Sequence, residues 1–270
     1  MGDDSRNEYI NKFVSNANWD AADASPADRM ATGDKYMDAG KLFVAKFSAD
    51  GTGSWVELSL TNALISAYAA YKFADQADIV INARLAADAV GATKMDRPEW
   101  NGVNPANGEV YFTLTNNSNR RAEPTGSQTA PDAANPRTYS DLKGTATQLG
   151  NVNGHIVRLK DASNAGTTFT WDVYLFGAEA SADAAKVNLS SLTSDQDFSS
   201  PDGLWFSPYT GICWIQTDDG AYTDVTNCMM LAGMPGAVGD GTVKSITYPR
   251  ATGGDLVVST RVGKRRRRTH

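Results

Sequence analysis

The feature that most constrains this chain is a stretch that it contains twice. Met95–Asn117, MDRPEWNGVNPANGEVYFTLTNN, and Ser200–Gly220, SPDGLWFSPYTGICWIQTDDG, superpose without a gap at an offset of 103 residues. Pro98 then meets Pro201, Glu99 meets Asp202, Pro105 meets Pro208, Gly108 meets Gly211 and Tyr111 meets Trp214. Five matched positions of matching chemistry read as an internal repeat.

Each copy has the chemistry of an antiparallel pair. Pro-x-x-Gly between two apolar runs makes a turn, because proline presets φ where the turn begins and glycine takes the positive-φ position that closes it. The flanking runs, Val103 with Val110–Leu114 and Trp205–Phe206 with Ile212–Ile215, carry the β-branched and aromatic residues that strands favour. Glu99 and Asp202 stand where the first strand of each pair begins. Polar residues (Thr115, Asn116, Asn117; Thr217, Asp218, Asp219) stand where the second strand ends. Antiparallel neighbours bring those two ends to the same side, so both copies gather oxygen ligands at one rim.

The intervening segments extend the pattern. Glu8–Ser15 reads as a strand, and Asn16–Lys35, rich in Ala, Asp, Asn and Ser, as a loop with at most one helical turn. Lys41–Phe47 and Ser54–Leu60 form a hairpin about a Gly-containing turn. Asn62–Gly91 is the convincing helical region, with Leu64, Ala67, Tyr68 and Tyr71 and then Ile79, Ile81, Leu85 and Ala89 at three-to-four spacing, and with Gly91 as its C-terminal stop. Ser118–Asn153 is long, polar and interrupted by Pro124, Pro131 and Pro136, too irregular for a core element. Gly154–Lys160 and Thr167–Phe176 make another hairpin, and Tyr222–Leu231 and Thr242–Arg261 are candidates for the outer strands of the second copy. An inner pair, an outer pair and then the next inner pair predict an all-β fold of four-stranded antiparallel blades. That is an incomplete β-propeller with one helical insertion near 62–91, with Glu99 and Asp202 turned into one central space. A β-sandwich whose two acids merely solvate loops is the alternative. On this reading residues 1–262 are a partial propeller domain, cut at both ends, and 263–270 a basic disordered tail.

Composition narrows the function. Hydrophobic residues make up 41% of 270, enough for a globular core, and no apolar run approaches the ~20 residues of a membrane helix. No signal peptide opens the chain. Net charge is −6, but Lys264–Arg268 holds five positive charges, which leaves the rest near −11. Clustered Arg can neutralise phosphates, yet a terminal run of like charge is more simply a solvated tail, and the acidic body argues against nucleic acid and for divalent cations. Two cysteines, Cys213 and Cys228, lack CxxC spacing. Cys213 reads as a buried strand residue, and a disulfide between the two stays open. Two histidines, His155 and His270, leave no room for a His-rich zinc site or HExxH, and little for a Ser–His–Asp triad, so His155 is expected to be structural.

The segments GDDSRNEYINKFVS, LFVAKFSADGTGSW, DAVGATKMDRPEWNGVNPANGEVYFTLTNN, GHIVRL, FTWDVYLFG, SPDGLWF and WIQTDDG resemble, in order and over most of residues 2–262, the C-terminal half of PhoX-type alkaline phosphatases. MDRPEW and SPDGLWF are its specific motifs. The resemblance implies a six-bladed propeller, exported by a twin-arginine signal to the periplasm or beyond, whose central calcium and iron ions hydrolyse phosphate monoesters. By motif, Glu99 and Asp202 resemble metal-binding carboxylates and Arg97 an arginine that holds the substrate phosphate. The chemistry is consistent, since carboxylates suit Ca2+ and Fe3+, metals polarise phosphoryl oxygens and arginine clamps phosphate. The plainer reading of Arg97 is a surface pair with Glu99 or Asp96. The resemblance also implies that the family's iron-binding cysteine lies N-terminal to this chain, and that neither Cys213 nor Cys228 replaces it. A catalytically incomplete calcium-binding propeller fragment, or an esterase or lactonase on the same scaffold, are the alternative functions. Exposed blade edges predict self-association into a homo-oligomer.

Overall fold

The structure, a computed structural model, describes residues 1–240 except 195, 219 and 222–227, together with the backbone of Ile246–Thr247. The strands are β1 (Arg6–Glu8), β2 (Asn11–Ser15), β3 (Gly40–Phe47), β4 (Thr52–Glu57), β5 (Met95–Asp96), β6 (Pro98–Val103), β7 (Val110–Leu114), β8 (Tyr139–Lys143), β9 (Ala146–Gly150), β10 (His155–Asp161), β11 (Thr168–Phe176), β12 (Pro201–Phe206), β13 (Cys213–Thr217), β14 (Met230–Gly233) and β15 (Ile246–Thr247). All ladders are antiparallel. The larger sheet runs β2-β3-β4-β11-β10-β7-β6 and the second β12-β13-β14-β15, with β1-β5 and β8-β9 as small two-stranded sheets.

Within the larger sheet, β6, β7, β10 and β11 are the four strands expected of the first blade, in the expected order. The N-terminal hairpin does not stand apart from them: β4 pairs with β11, Thr168 opposite Ser54 and Thr170 opposite Thr52. The seven strands therefore curl round one core, in which Phe43, Ala45 and Trp55 meet Phe112, Val157, Leu159, Phe169 and Trp171. Strand alternation sends Tyr111 and Ile156 to the opposite face, where they meet Leu204, Phe206, Cys213 and Ile215 of the second sheet. Both faces of β7 are buried, which is why Val110–Leu114 reads as a nearly continuous apolar run; β10 is buried over His155–Leu159 although Arg158 and His155 are polar. Gly102 sits where β6 meets β12. A Cβ there would come within 2.5 Å of Leu204 Cδ2, so the two copies approach this closely only over a glycine.

The repeat is structural in detail. Pro98 pairs with Leu114 and Asn101 with Phe112; Pro201 pairs with Thr217 and Leu204 with Ile215. In each copy the first strand carries one extra residue, a β-bulge between the proline and the third residue after it. Gly108 and Gly211 close the turns at φ 74° and 71°. Their amides donate to Asn104 O at 2.8 Å and Ser207 O at 2.9 Å.

Three sequence expectations need correction. Residues 62–91 form three short helices rather than one region: α2 (Ala63–Ser66), α3 (Gln76–Ile81) and α4 (Ala83–Ala89), which follow α1 (Arg29–Met37) in chain order. Asn62 and Asp75 each cap a new start, and Asn82, at φ −106° and ψ 38°, breaks the turn between α3 and α4. Their apolar sides, Ile65, Ile79, Ala86 and Val90, cover Val44 and Leu58 of the larger sheet, and Gly91 ends α4 at φ 63°. The loop expected at 16–35 instead contains the start of the nine-residue α1, capped by Asp28, whose carboxylate accepts from Met30 N and Ala31 N. No residue of α1 is buried, so it lacks the apolar stripe that reveals a helix in sequence. The supposedly irregular stretch 118–153 holds the β8–β9 hairpin and three of the most deeply buried polar side chains.

Cys213 is buried in β13 and Cys228 is exposed, with no disulfide between them. No helix among the described residues is long and apolar enough to cross a membrane. Asp219, most of the proposed outer strands at 222–231 and 242–261, and the basic tail at 263–270 lie outside the described residues.

Candidate metal and phosphate site

The two acids singled out by the repeat lie inside the two bulges. A bulge breaks the strict alternation of a strand and re-aims its side chains, and here it does so twice at the same rim. The residue before each bulge proline has the same unusual backbone: Arg97 at φ 57° and Ser200 at φ 52°. Neither is glycine, so each conformation costs about 1–3 kcal/mol and must be held by its surroundings. The holding bonds also repeat. Thr115 N donates to Arg97 O at 3.1 Å, and Asp218 N to Ser200 O at 2.9 Å.

A single hydroxyl joins the copies. Thr113 Oγ1 accepts from Trp100 N at 3.0 Å and donates to Asp202 O at 2.6 Å. The backbone of one bulge is thereby tied to the backbone of the other, and Glu99 and Asp202, a hundred residues apart in sequence, become neighbours. Their electrostatics agree. Burial, a hydrogen bond with Asp4 and the charges of Asp4 and Asp202 push the Glu99 carboxyl up to about 7, against a smaller opposing pull from Arg97. Asp202 is likewise raised, first by burial and then by Asp218 and Asp4, with Arg97 opposing.

Arg97 reaches into the same group. Its Nη2 lies 2.8 Å from Asp4 Oδ1, 3.1 Å from Asp4 Oδ2 and 3.6 Å from Glu99 Oε2. The pairing with Glu99 foreseen as the plainer reading is therefore present. Asp96, the other suggested partner, is turned away into the protein. Asp4 arrives because β1 pairs with β5, Arg6 opposite Asp96.

Behind the rim is a buried polar network that fixes the DRPEW segment. Asp96 is fully buried, and its Oδ1 accepts from Arg120 Nη2 (2.7 Å), Arg120 Nε (3.0 Å) and Asn117 Nδ2 (2.8 Å). Its Oδ2 accepts from Asn151 Nδ2 at 2.9 Å, and its own amide donates to Asn135 Oδ1 at 3.2 Å. Arg120 also donates to Ala130 O and Lys94 O. His155 belongs to this network and is structural, as expected. Its Nε2 donates to Ala134 O at 2.7 Å and its Nδ1 faces Asn151 Nδ2 at 2.9 Å. Burial, together with Arg137 and Arg120, drives its pKa down to about 3.

Sequence reasoning missed Asp4, Thr113 and the Asp96–Arg120 pair. Asp4 and Arg120 lie in segments without periodicity, and Thr113 looks like any strand threonine.

Glu99 and Asp202 are hard oxygen donors of the type calcium takes, and Asp4 and Asp218 add to the negative charge around them. These acids do not form a ligand shell, because among the described residues no three His, Cys, Asp or Glu side chains are grouped closely enough to hold an ion. Iron fits less well. Cys213 is committed to the core with its thiol pushed up by burial, and it takes no part in the acidic group.

Comparison with known proteins identifies the family. The family model "Alkaline phosphatase PhoX" matches residues 1–268. A solved structure, "Pseudomonas fluorescens PhoX in complex with vanadate, a transition state analogue", is similar with a TM-score of 0.70 and 36% sequence identity, over 92% of this chain. The match spans 41% of that protein's chain. No curated protein matches. The chain belongs to the PhoX alkaline phosphatase family.

Proposed function

We propose that this chain carries the cation- and phosphate-binding rim of a phosphomonoester hydrolase built on propeller blades and exported from the cytoplasm, as the family resemblance implies. The observation that carries the reading is the convergence of Arg97, Glu99 and Asp202 from two repeat copies, stitched by Thr113. Glu99 and Asp202 would hold calcium, which when bound polarises a phosphoryl oxygen and neutralises developing charge. Arg97 presents a planar fork of donors that matches two oxygens of a phosphate. In the structure Asp4 takes up one nitrogen of that fork, Nη2, with its two carboxylate oxygens at 2.8 and 3.1 Å, so a phosphate would have to share or displace this contact to the guanidinium. The left-handed backbone at Arg97 aims it, and the Asp96 network keeps it there. Fe3+ belongs to the reading only through the family, and no step for it rests on these residues.

Hydrolysis of p-nitrophenyl phosphate in calcium tests the reading. Calcium-dependent turnover is expected, inhibited by vanadate and reduced about a hundredfold or more in Arg97→Ala, the scale of losing a donor that faces developing charge. The Asp4–Arg97 pair and the open ligand shell favour a second reading, a calcium-binding module without turnover. Absence of any calcium-dependent rate above background would select it.

A further inference from the structure

Beside the acidic rim lies a pocket of about 480 Å³ lined by Trp100, Asp202, Gly203, Trp205, Trp214 and Gln216, with Leu204 and Met230. Its size falls within the roughly 300–1,000 Å³ of small-molecule sites. Trp100 is 55% exposed and Trp205 60%, unusual for the largest apolar side chain, and both open onto the cavity that Asp202 shares with the rim.

The repeat explains why the pocket exists. Trp100 and Gly203 hold the same place in the two bulges, directly after Glu99 and Asp202. The first copy supplies an indole there and the second supplies space. A Cβ on Gly203 would lie 2.3 Å from Gln216 Oε1, so the glycine also lets the Gln216 amide lie against the floor. Indole faces with one amide and one carboxylate make a receptor for a flat, partly polar ring system.

We infer that this pocket receives the leaving group of the ester, and that it favours phosphate monoesters whose alcohol carries a planar aromatic ring, an aryl group or a nucleobase. The inference rests on the phosphatase reading for its direction: Asp202, which feels the charge of Arg97 at the rim, also lines the pocket, so a phosphoryl group held at the rim would have the pocket as its neighbour. Trp100 and Trp205 are the specificity-determining residues, and they act by stacking rather than on the reacting atoms.

The test separates the pocket from the reaction. Saturation-transfer NMR with adenosine and with ribose needs neither metal nor turnover. Adenosine is expected to receive saturation at its ring protons and ribose none, with the signal lost in Trp100→Leu and Trp205→Leu variants whose melting temperatures stay near that of the parent. In calcium, kcat/KM for adenosine 5′-monophosphate should exceed that for glycerol phosphate by about tenfold or more, and the same variants should bring that ratio to about one. Equal saturation of adenosine and ribose, or an aromatic preference that survives both substitutions, overturns the inference. Adenosine binding without hydrolysis of either ester supports the pocket and sinks the phosphatase reading instead. A large fall in melting temperature and in both rates on substitution assigns Trp100 and Trp205 to packing, and so also overturns it.

Discussion

Replacing Arg120 by methionine is expected to cost the fold about 3–5 kcal/mol, the scale of removing one partner of a buried ion pair. Arg120 and Asp96 are at most 1% exposed. The guanidinium binds Asp96 through two nitrogens and also satisfies Ala130 O and Lys94 O. Methionine fills much of the volume but leaves a carboxylate in the interior with only the Asn117 and Asn151 amides as donors. Thermal melts should fall by about 10 °C, taking roughly 2–4 °C per kcal/mol for a chain of this size. Adding Asp96→Asn should return part of the loss, since the charge itself is then gone. Two single substitutions with fully additive costs would show that the pair does not act as a unit. The consequence reaches the rim, because Asp96 directly precedes the strained Arg97 and the network holds that backbone in place.

The second large effect is on acid stability, through His155. This imidazole is fully buried, flanked by two arginines, and ionises only near pH 3 in the fold, against an ordinary value of 6.5. The unfolded chain therefore takes up a proton below about pH 6.5 that the folded chain refuses. The sign follows: the stabilisation is fully present above pH 6.5 and is lost as pH falls from there toward 3, at up to ~1.4 kcal/mol per pH unit. By pH 5 the loss amounts to about 2 kcal/mol. Urea midpoints measured between pH 4.5 and 7.5 should fall with acid in the parent. They should fall distinctly less in His155→Gln, which keeps a donor toward Ala134 and an acceptor toward Asn151 but does not titrate. Parallel curves for the two proteins would remove His155 as the cause.

What could be read in advance follows from the range of the forces involved. The repeat, its Pro-x-x-Gly turns and the pairing of β6 with β7, β10 with β11 and β12 with β13 are local features, written in strand composition and turn residues. The bulges were not legible, although they aim Glu99 and Asp202, because an extra residue in a strand shows only against its partner. The union of β4 with β11 escaped for the same reason, being a pairing across more than a hundred residues with no turn to announce it. Most misleading was the segment from 118 to 153. Its prolines and polar residues look like solvent-facing loop, yet Arg120, Asn135, Arg137 and Asn151 are buried because each is matched by a partner from elsewhere in the chain. A polar side chain goes inside when its hydrogen bonds are supplied, and no single stretch of sequence records who supplies them.

Calorimetric titration of calcium into the parent chain, Glu99→Gln, Asp202→Asn and the double variant tests the central claim most directly. One shared cation predicts that each single substitution weakens the calcium Kd about tenfold or more, and that the double variant is little worse than the weaker single, since either loss already breaks the same site. Unchanged affinity in both single variants, or losses that add in full, would mean that the two acids do not serve one ion.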